Sequence, residues 1–121
     1  MYQKKTEDTR CRTARLLDIL DGKWNLMLLC ALSDGEPLRY GELRQRLNNI
    51  SDMALTNALK ALSRAGIIQR QAYNEVPPRV EYQLTPKGQG LIPVVRTACR
   101  WEEEQGSRCT GSGPYCWKLR E

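Results

Sequence analysis

Apolar positions recur at a helical period through most of this chain and give way only in residues 67–84, where two short runs read as extended. Residues 11–20 carry Leu16, Leu17 and Leu20 on one helical face, and Asp21-Gly22 supplies the stop. Residues 24–32 (WNLMLLCAL) are apolar almost all round, the pattern of a helix buried at the centre of a small domain, and Ser33-Asp34-Gly35 closes it. Pro37-Leu38-Arg39 is a short extended candidate. Residues 40–47 (YGELRQRL) space Leu43 and Leu47 by one turn and predict a brief helix. After the turn Asn48-Asn49-Ile50, Ser51 is a good N-cap for a helix over residues 52–65, in which Leu55, Leu59 and Leu62 form a stripe and Gly66 is the expected stop.

Two helices joined by so short a turn have the layout of a helix-turn-helix. Burying Leu55, Leu59 and Leu62 leaves Ser51, Met53, Thr56, Asn57, Lys60 and Arg64 on or near the open side, a polar, short-chained and basic face suited to reading a major groove. Residues 67–73 and 79–84 then read as two strands, and Pro77-Pro78 fixes an extended tip between them, so this hairpin is the wing. Thr85-Pro86 is a strong helix start. The helix that follows shows Leu91, Val94, Val95, Ala98 and Trp101 together, with a kink expected at Pro93. Such an apolar run exceeds what one small core needs, and a second copy of the chain is the simplest partner, so these five residues are the expected dimer interface. The expected fold is mainly α with a small β-hairpin wing, an α+β winged helix-turn-helix with a C-terminal dimerisation helix. Residues 1–10 read as a flexible arm, residues 11–105 as the domain, and residues 106–121 as a Gly-, Ser- and Cys-containing tail.

Composition sharpens the partner. The 121 residues suffice for one modest core, and 19 Lys plus Arg against 14 Asp plus Glu leave a formal charge of +5. Between positions 39 and 70 there are six cations (Arg39, Arg44, Arg46, Lys60, Arg64, Arg70) and two anions (Glu42, Asp52), so the excess is local, as double-stranded DNA would require. Arg39, Arg44 and Arg46 are candidates for phosphate contacts, with a solvated face as the plain alternative. No run is long and apolar enough for a bilayer, and residues 1–10 are polar, so a cytoplasmic location is expected. Histidine is absent and there is no Gly-rich phosphate loop or nucleophile elbow, which argues against an enzyme. No cofactor and no metal are expected.

The stretches Cys11 with ARLLDILDGKW, LRYGELRQRL, ISDMALTNALKALSRAGII and, above all, NEVPPRVEYQLTPKG resemble the HxlR-type branch of the winged helix-turn-helix regulators, relatives of the MarR family. The resemblance implies a homodimeric transcription factor on a pseudo-palindromic operator. It places base or backbone contacts at Ser51, Met53, Thr56, Asn57 and Lys60, and a wing contact at Arg79. Asp52 and Met53 depart from the basic or Gln residues of many members; Asp52 can accept from cytosine N4 or simply face the helix N-terminus. The resemblance also puts Cys11 at the position of a thiol that senses oxidants, quinones or aldehydes in several members.

Independently, a thiol at a helix start flanked by Arg10 and Arg12 has its thiolate favoured, which makes a small electrophile or oxidant a candidate partner; an inert packed thiol is the alternative. Cys30 reads as core. Cys99 reads as packing, with approach to Cys11 of a second subunit as the other option. Cys109 and Cys116 lack the spacing and the histidines of a zinc site and suit, at most, reversible oxidation. Trp24 reads as the opening of the core helix, Trp101 as dimer interface, and Trp117 has no assignment. The rival function is of another class: a winged-helix protein-interaction module without specific DNA binding.

Overall fold

The computed structural model describes residues 11–48 and 50–106. The arm with Arg10, the turn residue Asn49, and the tail with Cys109, Cys116 and Trp117 lie outside the described residues. Among the described residues, α1 (Arg12–Ile19), α2 (Lys23–Ala31), β1 (Leu38–Arg39), α3 (Tyr40–Arg46), α4 (Asp52–Arg64), β2 (Ile68–Tyr73), β3 (Arg79–Leu84) and α5 (Pro86–Glu104) follow one another. The three strands form one antiparallel sheet in the order β1-β3-β2, with Leu38 opposite Tyr82 and Arg70 also opposite Tyr82. This is the mostly helical winged-helix arrangement that the patterning predicted.

The core is built as the helical spacing required. Leu28, Leu29 and Leu32 of α2 and its C-cap meet Leu43 and Leu47 from the α3 segment, Leu55, Leu59 and Leu62 from α4, and Ile67 and Ile68 at the start of the wing. Cys30 is buried in the same cluster, a small hydrophobe as expected. In α1 the core face is Leu16, Ile19 and Leu20, whereas Leu17 is 63% exposed. A helix turns about 100° per residue, so Leu16 and Leu17 cannot both face inward at the centre of one contact.

Two features fix the recognition helix α4. At its start the Ser51 hydroxyl accepts from the Ala54 N–H at 3.0 Å. At its end Gly66 turns with φ +77°, and Gly66 N–H and Ile67 N–H donate to the carbonyls of Ser63 and Leu62. That pair of bonds is a Schellman stop, and the positive φ is why glycine stands there.

The wing returns onto this stop through the Thr85-Pro86-Lys87-Gly88 segment. The Thr85 hydroxyl accepts from the Gly88 N–H at 3.1 Å and donates toward the carbonyls of Gly66 and Ile67. Lys87 Nζ donates to the Ala65 carbonyl at 2.8 Å, on the last turn of α4. Gly88 is packed so closely that a Cβ there would overlap the Ile67 carbonyl oxygen. The TPKG string therefore latches the start of α5 to the end of α4.

Helix α5 runs without interruption through Pro93. Its apolar residues divide between two faces. Leu91, Ile92 and Val95 are buried in the protomer's own core, while Val94, Ala98 and Trp101, spaced i, i+4 and i+7, are exposed, Trp101 by 59%. No described helix is long and apolar enough to cross a membrane.

Candidate nucleic-acid interface

The outer face of α4 is open. Met53 is 74% exposed, Asn57, Lys60 and Arg64 are exposed, and Thr56 is half-buried; positions 53, 56, 57, 60 and 64 follow one helical face opposite Leu55, Ala58, Leu59 and Leu62. Ser51, by contrast, uses its hydroxyl as the helix cap, so any contact it makes beyond the protein adds to that role. The acidic residue that opens α4 is not idle. Asp52 Oδ1 accepts from the Tyr40 hydroxyl at 3.0 Å and lies 3.3 Å from Arg44 Nε. The Tyr40 oxygen is also 3.5 Å from Thr56 Oγ1. One carboxylate thus ties α3 to α4, neutralises a candidate phosphate-binding arginine and stands at the positive end of the helix dipole.

Arg39 is exposed and precedes α3. Its backbone N–H donates to Glu42 Oε1 at 2.8 Å; a guanidinium has no acceptor, so only this half of a capping box can form. Arg39 is therefore free to point its charge outward, whereas the wing arginine is engaged. Arg79 pairs with Glu75 at 3.1 Å and Glu81 at 3.5 Å and lies over the Tyr73 ring at 3.9 Å. Arg79 and Tyr73 are directly opposed in the β2–β3 ladder. The YNEVPPRVE string, residues 73–81, places two carboxylates and the Tyr73 ring around a single guanidinium, which braces the wing. A wing contact to DNA through Arg79 has to share this guanidinium with both acids.

Cys11 is exposed at the N-cap of α1 and is a free thiol, as is the half-buried Cys99. The thiol is held below its ordinary pKa, first by the Ala14 backbone N–H, then by the Thr13 N–H and hydroxyl; slight desolvation acts the other way, and the Arg15 charge adds the smallest push downward. The sulfur faces these donors without closing a full cap hydrogen bond. Backbone donors at the helix start thus act in the direction the sequence suggested, and among the described residues the charge that contributes is Arg15 rather than Arg12. No group of three or more acidic or cysteine side chains suited to a metal exists among the described residues.

Sequence reasoning assigned no partner to Tyr40, Arg70, Tyr82 or Glu75. Tyr40 acts through Asp52 on the next helix, and Tyr82 stands opposite both Leu38 and Arg70 in the sheet; for Glu75 the linear hint was the pair of acids at four residues before and two after Arg79.

Residues 19–110 match the HxlR-like helix-turn-helix family. The chain belongs to the HxlR-like helix-turn-helix family. Among its relatives, an HTH-type transcriptional regulator of Methanothermobacter thermautotrophicus is 41% identical over 103 residues, spanning 85% of this chain and 78% of the relative. YdeP, an HTH-type transcriptional regulator of Bacillus subtilis, is 41% identical over 98 residues, spanning 81% and 76%. Among solved structures, the redox regulator HypR in its oxidised form aligns with a TM-score of 0.71 at 36% identity, covering 83% of this chain and all of HypR. The reduced form of the transcriptional regulator YodB from Bacillus subtilis aligns at 0.73 with 30% identity, covering 79% and 94%. This HxlR-like chain is therefore a transcriptional regulator with a DNA-binding helix-turn-helix fold, in a family of regulators rather than enzymes.

Proposed function

We propose that this HxlR-like chain binds a pseudo-palindromic operator as a homodimer, with α4 of each subunit in the major groove. The observation that carries the reading is the uninterrupted open face of α4, in which Met53, Thr56, Asn57, Lys60 and Arg64 project from a helix locked at both ends. Asn57 suits a bidentate contact with adenine, Met53 and the Thr56 methyl suit a thymine methyl, and Lys60, Arg64 and Arg39 suit guanine or phosphate. Arg79 then positions the wing along the backbone through its clamp on Glu75 and Glu81.

Dimerisation is assigned to Val94, Ala98 and Trp101 of α5, the apolar residues that the protomer core leaves uncovered; Leu91 and Val95 support that helix from beneath. Exposed Leu17 on α1 adds apolar area for the same purpose. Regulation by a small electrophile or oxidant is assigned to Cys11, whose exposure and lowered pKa favour the nucleophilic thiolate. The likeness to HypR, described as a redox regulator, supports the same assignment.

Footprinting on the DNA upstream of the chain's own gene tests this reading. Two protected half-sites, centred about one helical turn or a multiple of 34–36 Å apart, are expected. Uniform protection without any preferred site would mark a protein-interaction module that touches DNA only electrostatically.

A further inference from the structure

We infer that Tyr40 of α3 is a positioning residue for base reading: it holds the hydroxyl of Thr56 on α4, so that Thr56 meets DNA through its methyl group and selects thymine, a role that rests on the major-groove reading proposed above. The Tyr40 phenol oxygen lies 3.0 Å from Asp52 Oδ1, 3.3 Å from the Asp52 carbonyl oxygen and 3.5 Å from Thr56 Oγ1. A phenol carries one proton, and an ionised carboxylate and a carbonyl can only accept. That proton is therefore committed to Asp52, and Thr56 is the donor in the third contact. The carboxylate is held in turn by Arg44 at 3.3 Å. A directed chain results, from the Thr56 hydroxyl through the Tyr40 phenol to the Asp52 carboxylate.

The two ends of a threonine distinguish bases differently. A free hydroxyl donates or accepts and rotates to suit, so it bonds several base edges without choosing among them. A methyl group has one matching feature in the major groove, the 5-methyl of thymine. Threonine is stiff at χ1, so fixing Oγ1 fixes the methyl as well. A helical threonine commonly turns its hydroxyl to the carbonyl four residues back, here that of Asp52. The Tyr40 phenol stands at that carbonyl and receives the hydroxyl as well. Thr56 is half-buried and Tyr40 packs against the core, so the contact is partly shielded from water. Asp52 thereby acts on sequence choice at one remove, through Tyr40 and Thr56, without needing a base contact of its own.

Anisotropy titration of the full chain with its own upstream duplex, in which thymines are replaced one at a time by deoxyuridine, tests the role, because that change removes only the 5-methyl group. For the wild type, one position in each half-site should lose about fourfold in affinity, the worth of one buried methyl contact. Thr56→Val keeps the methyl and lacks the hydroxyl; it should bind the unmodified duplex as the wild type does and retain the penalty. Thr56→Ser should abolish the penalty. Tyr40→Phe frees the hydroxyl and should remove most of the penalty at that position, yet leave it intact in the Thr56→Val background, where there is no hydroxyl to hold. A purely structural loss would weaken all duplexes alike in both backgrounds and would overturn the inference. A marked loss of affinity in Thr56→Val would overturn it too, by making the hydroxyl a direct reader, as would a wild type with no penalty at any thymine. If the upstream duplex is bound no better than a random one, the regulator reading fails and the role falls with it; if the preference is present and these responses are not, the reading stands and the role alone fails.

Discussion

The hydroxyl of Tyr40, at the start of α3, donates to the carboxylate of Asp52, at the start of α4, across 3.0 Å. Since Arg44 sits 3.3 Å from the same oxygen, the residue that departs most from a basic reading helix holds the two helices of the motif together and quenches a cation beside them.

Replacing Asp52 should therefore act in opposite directions on folding and on DNA. Asp52→Asn keeps an acceptor for Tyr40 but removes the charge at the helix N-terminus, and a loss of about 0.3–1 kcal/mol in stability is expected from urea titration. The same change releases Arg44, so affinity for duplex DNA at low salt should rise and the slope of log affinity against log salt should steepen by about one phosphate contact per subunit. Weaker DNA binding with loss of preference at one base pair would instead make Asp52 a direct reader.

Gly88 is the position where one methyl group should do most damage. Its Cβ would overlap the Ile67 carbonyl oxygen, and backbone cannot yield as a flexible side chain can. Gly88→Ala is expected to cost about 1–3 kcal/mol or more, the range of overpacked cores, and to lower the thermal midpoint accordingly. Gly90→Ala, two residues on with nothing near its Cβ, is the control and should be neutral or stabilising. Equal effects of the two would mean that the TPKG segment does not act as a latch.

The boundaries of α4 were legible in the sequence because Ser51 and Gly66 are local signals that need no tertiary partner, and the structure uses both. The wing and the Thr85-Pro86 start were legible for the same reason. The division of α5 was not. Leu91, Val94, Val95, Ala98 and Trp101 are all apolar at compatible spacings, and only the position of the core shows that Leu91 and Val95 turn inward with Ile92 while the others stay outside. Arg79 reads from sequence as a free wing cation because its partners depend on hairpin register, which puts Tyr73 opposite it. The groove between α4 and β2, lined by Leu59, Lys60, Arg64, Ile68 and Arg70, was invisible for a related reason: it exists only once those elements pack.

Trp101 should be the most sensitive point of self-association. It is 59% exposed in the protomer, so Trp101→Glu leaves the fold intact while placing a charge in the apolar strip with Val94 and Ala98. Sedimentation is expected to show a dimer for the wild type and a monomer for the variant, with unchanged helical circular dichroism. A variant that remains dimeric would move the interface elsewhere.

Cys11 should ionise at lower pH than an unperturbed cysteine, whose pKa is about 8.5. Alkylation by iodoacetamide, followed at this residue by mass spectrometry over a pH series, should inflect below that value, and Thr13→Val should raise the inflection by removing a hydroxyl donor. The sign for folding follows from the same shift: a thiol made more acidic in the native state adds stability above its unfolded pKa, and that contribution is lost as pH falls through the native value. An inflection at the ordinary value would leave Cys11 exposed but unactivated.

The central claim, that the open face of α4 reads DNA, is tested most directly by anisotropy titration of the chain's own upstream duplex against a random duplex of equal length over a salt series. A clear preference for the upstream duplex is expected at every salt concentration, with log affinity falling steeply as log salt rises. For Lys60→Ala the slope should be shallower by about one for each phosphate that the lysine no longer neutralises. Equal affinity for both duplexes, or a Lys60→Ala variant indistinguishable from wild type in affinity, preference and slope, would contradict it.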